Sequence, residues 1–143
     1  MNSCIFCKIL NDEIEASFVY RGMIVSAFMD LGAINPGHVL IVPNDHSERF
    51  VGIDAEVTGE MFKVAQKILK AIQKSDIACE GANIFLSDGE VAGQEVLHSH
   101  LHIAPRFKGD AHRMGFSHFD GSLSERKKLD EAAKEISKNL EMS

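Results

Sequence analysis

The strongest constraint on the fold is an alternation in the last third of the chain. His98, His100 and His102 occupy every second position, and Leu97, Ser99, Leu101 and Ile103 fill the places around them. Side chains of a β-strand alternate between its two faces. As a strand, this segment puts three imidazoles on one face and a mostly apolar set against the core. Two strand rises separate neighbouring histidines by about 7 Å. Three of the chain's seven histidines fall within these five positions, a concentration that asks for a chemical cause. Three causes are open. Histidines are tolerated on a solvent-facing strand; three of them can form a metal site; or imidazoles can act as nucleophile and proton carrier at neutral pH. The hydrophobic back face and the Gly-rich approach count against the first. Three consecutive alternates span a long distance for one ion, which counts against the second.

A chain of 143 residues is one domain by size, long enough for a real core, and its 45% hydrophobic content reads as globular. The formal net charge of -6 disfavours a nucleic-acid polymer as partner. A small phosphorylated ligand remains compatible, since it needs only a local pocket of donors. No stretch approaches the apolar length of a membrane span and the N-terminus has no signal-peptide pattern, so the expected compartment is the cytoplasm. The three cysteines are then expected to be reduced or metal-bound.

Cys4-Ile5-Phe6-Cys7 is a C-x-x-C pair, either a redox dithiol or half of a zinc site. A short helix or turn is expected over 8–12. Ser17–Arg21 and Ile24–Met29 read as two strands across a tight turn at Gly22, with Asp30 at the second strand's end. Asn35-Pro36-Gly37 is a turn, followed by a third strand from His38 to Val42 and stopped by Pro43. Val57, Met61, Val64, Ile68, Leu69 and Ile72 fall at helical spacing, so a long helix is expected from Asp54, its N-cap, to about Lys74. Its lysines, Lys63, Lys67, Lys70 and Lys74, make a solvated face. Gly81–Leu86 reads as a fourth strand. Ser87–Gln94 is a loop whose Gly89 and Gly93 permit close backbone approach to a phosphate. Ser122–Glu125 fits a capping box ahead of a C-terminal helix carrying Leu129, Ala133, Ile136 and Leu140. His112 and His118 precede it with no sign of a chemical role. Short connections between strands favour antiparallel pairing, hence an α+β domain.

The run from His98 to Ala104, with Gly93-Gln94-Glu95-Val96 before it and Pro105-Arg106 after it, resembles the signature of the histidine triad (HIT) family. Asn35 to Pro43, with His46 three residues on, matches the same family, and the resemblance extends from Cys4 to about Lys108. It implies a HIT-like fold over residues 1–143: a five-stranded antiparallel sheet with two main helices, assembled as a homodimer. It implies hydrolysis at the α-phosphate of a nucleoside phosphoramidate or dinucleoside polyphosphate. His100 would be the nucleophile, His102 a phosphate contact or proton donor, and His38 a support within the histidine network. Asp30 would accept hydrogen bonds from a ribose, while Ser87, Gly93 and Gln94 would hold phosphate oxygens. Phe28 and Leu31 would border the base or simply pack in the core.

The resemblance also assigns a structural zinc to Cys4, Cys7, His46 and His98. Two positions depart from the family: Ser87 stands where Asn is common, and Glu95 where some members have Ser or Thr. A carboxylate near a phosphate repels it, so Glu95 is left out of the phosphate contacts. The intact third histidine favours the hydrolase branches. The alternatives are a nucleotidyltransferase, or a nucleotide-binding protein with little catalysis.

Overall fold

The computed structural model describes residues 3–113, 122 and 125–142. Helix α1 (Ile5–Leu10) precedes strands β1 (Phe18–Arg21), β2 (Val25–Met29) and β3 (Val39–Pro43). The long helix α2 (Ala55–Lys74), β4 (Gly81–Phe85), β5 (Leu101–Arg106) and α3 (Arg126–Asn139) follow. The strands form one antiparallel sheet in the order β1-β2-β3-β5-β4. The chain divides into two compact units, residues 1–112 and 113–143. The second contains α3, whose apolar residues Leu129, Ile136 and Leu140 are exposed.

Strand parity sorts the side chains of the first unit into two layers. Val25 and Ala27 of β2, Val39 and Ile41 of β3, and Leu101 and Ile103 of β5 face one way. They meet Met61, Val64, Ala65, Ile68 and Ile72 of α2, the stripe that its helical spacing predicts. The second layer, on the opposite face, contains Phe28, Leu40 and Val42 of the sheet with Phe6 and Ile9 of α1. Register then draws one row across the whole sheet on this face. Phe85 pairs with His102, His102 with Leu40, Leu40 with Phe28, and Phe28 with Phe18. A histidine therefore sits in the middle of an apolar floor.

Three local expectations are corrected. Strand β5 begins only at Leu101, so His102 alone of the three histidines lies in a strand, and His98 sits in a bend. The bend turns Leu97 out to 54% exposure, whereas Ser99, Leu101 and Ile103 are buried as alternation requires. Asp54 does occupy the N-cap of α2, but its side chain makes no capping hydrogen bond; only its carbonyl accepts, from the Thr58 amide. Helix α3 starts at Arg126, later than the capping box implies, and its N-cap Glu125 makes no side-chain capping bond. Leu123 and Ser124 of that box, and His118, lie outside the described residues.

The turn at Asn35-Pro36-Gly37 is clamped to the far end of β5. Asn35 donates to the Pro105 carbonyl at 2.9 Å and to Asp110 at 2.8 Å. Asp110 in turn takes two bonds of 2.7 Å from Arg106, which holds its carboxyl far below the usual range and keeps it charged. Gly37 has φ +91°, and a Cβ there would meet Ile77 at 2.9 Å and Pro105 at 3.2 Å. Only glycine fits both the backbone and the space. The clamp fixes the entry of β3 and hence the position of His38. Among the described residues no helix is long and apolar enough to cross a membrane.

Candidate active site

His100 is 7% exposed and lies directly before β5. Its Nδ1 is 2.7 Å from the His98 carbonyl. A carbonyl oxygen only accepts, so Nδ1 carries the proton and Nε2 keeps its lone pair. Burial lowers the His100 pKa below the ordinary value, against the raising effect of that carbonyl, Asp30 and Glu95. The imidazole is thus neutral at neutral pH and nucleophilic at Nε2.

A chain of bonds fixes the next two histidines. The Ile34 amide donates to His38 Nδ1 at 3.0 Å, so neutral His38 carries its proton on Nε2. That nitrogen lies 3.0 Å from His102 Nδ1 and 3.4 Å from Asp30. His102 then accepts at Nδ1 and presents an N–H at Nε2. Burial, with His100 and His38 alongside, lowers the His102 pKa to about 4 in spite of Asp30. Burial likewise lowers His38, with Asp30 opposing it. Phe85 stacks on His102 with centroids 4.2 Å apart and planes 7° apart, and it meets His38 edge-on. The pairing of β4 with β5 places Phe85 beside this site, as the register partner of His102. Sequence reasoning did not single it out.

His100 and His102 line a cavity of about 440 Å³ with Phe6, Ile9, Phe28, Leu40, Asp30 and Glu95 among its walls. Its size suits a small ligand. Phe28 serves both as core and as wall, being 2% exposed, while Leu31 also borders the cavity but is fully exposed. Phe6 of α1 meets the His100 ring edge-on at 5.1 Å and the His98 ring at 5.8 Å. It lies between the two cysteines of the C-x-x-C pair, so one short helix serves both sites.

His98 belongs to a different group. Its Nε2 donates to the Pro43 carbonyl at 2.8 Å, which leaves the lone pair on Nδ1. That atom lies 3.3 Å from Cys4 Sγ, 3.6 Å from Cys7 Sγ and 3.3 Å from His46 Nδ1, and Cys7 Sγ lies 3.5 Å from His46 Nδ1. Tetrahedral bonds of about 2.0–2.3 Å to nitrogen and sulfur put neighbouring ligand atoms about 3.3–3.8 Å apart. These four donors fit that spacing, and the residues could hold a metal ion. Among the described residues the three triad histidines do not form one compact ligand group. His98 falls in this one, His102 in a second with Asp30 and His38, and His100 in neither.

The loop residues divide. Gly93 has φ +97° and lines a cavity with Gln94 and Glu95. Ser87 Oγ would lie 3.8 Å from a Cβ on Gly93. The Gln94 side chain is 4% exposed and already committed. It accepts from the Gly89 amide and donates to the carbonyls of Glu48 and Val96. Ser99 donates its amide to Ser47, and Arg49 pairs with Asp88, so residues 47–50 brace the loop along its length.

A neutral imidazole with a free Nε2 lone pair thus borders an apolar cavity beside a second imidazole that presents an N–H. Residues 11–109 match the HIT domain, and the chain belongs to the HIT family. It is 38% identical over 141 residues to an uncharacterized HIT-like protein of Borreliella burgdorferi, covering 98% of this chain and 100% of that one. It is 31% identical over 104 residues to the adenosine 5'-monophosphoramidase of Schizosaccharomyces pombe, covering 73% and 74%. Among solved structures, a HIT family member from Bacillus subtilis superposes with a TM-score of 0.89 at 33% identity, covering 99% of this chain and 100% of that one. A zinc-bound histidine triad protein from Mycobacterium smegmatis gives a TM-score of 0.74 at 28% identity, covering 96% and 98%. The family thus includes hydrolases as well as proteins whose role is uncharacterized.

Proposed function

We propose that the protein hydrolyses a small nucleotide at its α-phosphate through a nucleotidyl–histidine intermediate on His100. The observation that carries this is the Nδ1–H bond of His100 to the His98 carbonyl, which leaves Nε2 as the nucleophile. The apolar walls Phe6, Ile9, Phe28 and Leu40 take the base, and Asp30 takes the ribose hydroxyls. Nε2 attacks phosphorus, and the bond to the leaving group breaks with its electron pair on that group. Water then adds to phosphorus, the P–N bond to His100 breaks, and a nucleoside monophosphate departs. The His102 N–H bonds a phosphate oxygen and stabilises its charge. His38 and Phe85 hold the His102 ring. Ser87 and the Gly93 backbone contribute phosphate contacts, while Gln94 acts by holding the loop.

We assign the Cys4, Cys7, His46 and His98 group to a structural zinc. A zinc there supplies cross-links between α1, the segment after β3 and the approach to β5. We further read the protein as a homodimer, on the family resemblance, and as acting in the cytoplasm.

The test is release of AMP from adenosine 5'-phosphoramidate and from diadenosine tetraphosphate by wild type and His100→Ala. Turnover that vanishes in a folded His100→Ala variant supports the reading. Nucleotide binding without turnover in the wild type moves it to the transferase or binding-protein alternative.

A further inference from the structure

Among the described residues, the cavity containing His100 and His102 is lined by three carboxylates, Glu15, Asp30 and Glu95, and by no lysine or arginine. Asp30 accepts from the Gly32 amide at 2.8 Å, lies 3.4 Å from His38, and is the residue read above as meeting the ribose. Glu95 is different. It is exposed, and no hydrogen bond or ion pair to the described residues holds its carboxylate. It also borders two adjoining cavities, one with Glu48 and His46, the other with Glu90 and Gly93. Glu95 is the residue common to all three. Each adjoining cavity thus carries a second carboxylate beside Glu95, Glu48 in one and Glu90 in the other. The cation nearest in sequence to this loop's brace, Arg49, is spent on Asp88.

Sites that handle polyphosphates present Arg, Lys or Mg²⁺ to the departing charge. This rim presents the opposite sign. Like charges brought together in a partly enclosed site repel strongly, and opposite charges attract. We propose that Glu95 selects the leaving group by charge, and that the substrate is a nucleoside phosphoramidate whose amine carries a second, cationic group. The inference rests on the nucleotidyl–histidine reading above. The Pα–N bond breaks as the bond to His100 Nε2 forms. The amine nitrogen keeps the electron pair and takes a proton from solvent, while its remote cation stays beside Glu95.

The test compares four substrates on the full chain: AMP phosphoramidates of putrescine, butylamine and γ-aminobutyrate, and diadenosine tetraphosphate. The three amides share a four-carbon chain and end in an ammonium, a methyl or a carboxylate group. Wild type is expected to rank them cationic, neutral, anionic in kcat/KM, with steps of about tenfold. Glu95→Gln should compress the spread to about twofold, and Glu95→Lys should invert the order. An unchanged spread in a folded Glu95→Gln overturns the assignment to Glu95 while leaving the nucleophile in place. Failure of the wild type to turn over any of the four overturns the hydrolase reading, and this one with it.

Discussion

Two histidines, His98 and His100, sit two positions apart and are held in opposite ways. His98 gives its Nε2–H to Pro43 and aims the Nδ1 lone pair at two sulfurs and another imidazole. His100 gives its Nδ1–H to a backbone carbonyl and keeps the lone pair on Nε2, beside a cavity. Burial lowers both pKa values, so both rings are neutral and able to donate electrons. The difference shows that the type of side chain does not assign the role. The backbone group that occupies one nitrogen decides which nitrogen is left, and where it faces.

The widest break in this comparison comes from removing each lone pair in turn. His100→Ala should reduce AMP release by at least about 10³-fold while the thermal midpoint stays near that of wild type. A variant with substantial residual turnover would remove His100 from the role of nucleophile. On the other side, Cys4→Ser with Cys7→Ser should lower the midpoint by about 5–15 °C, and a chelator should do the same to the wild type. Rate per folded molecule should hold until unfolding begins. Immediate loss of rate in protein that remains folded by circular dichroism would join the two regions into one catalytic metal site.

A finer test concerns the ring stacked on His102. Phe85→Leu keeps an apolar side chain at the register partner of His102 but loses the stacked face. It should lower kcat by about tenfold with little change in KM, an effect of order 1 kcal/mol, and Phe85→Tyr should restore the rate. Equal losses in Leu and Tyr variants would show that the stack does not position His102.

A last test concerns pH dependence. His102 has a folded-state pKa of about 4, below its ordinary value of 6.5, with His38, His100 and Asp30 around it. Between these values the unfolded chain binds the extra proton and the folded chain does not. Stability from this group is therefore present above about pH 6.5 and is lost as pH falls toward 4. Urea titrations of wild type and His102→Gln across that window should differ in slope, with the wild type steeper. Parallel slopes would mean that His102 is not buried in its neutral form.

Much of this was legible because the signals are local. The α2 stripe Met61, Val64, Ile68 and Ile72 is buried as its spacing predicts. Alternation correctly buries Leu101 and Ile103. Where a segment bends, alternation ends, and Leu97 shows it: the residue keeps its parity in the sequence but leaves the core at the bend before β5. Gln94 is a different case. Its position in the motif was plain, but its amide is engaged by Glu48, 46 residues away in the chain.

The sequence by itself determined which faces of the strands and helices turn inward, which residues carry donor atoms, and which family the chain resembles. Side-chain periodicity is a property of a few neighbouring residues, so no distant contact is needed to read it. Only the tertiary structure decided how the donors are shared out. His98 meets Cys4 across 94 positions and His46 across 52, and His102 meets His38 across 64. A hydrogen bond is directional and acts only at contact, so the tautomer of each ring, and with it its chemistry, waits on the segments that folding brings together.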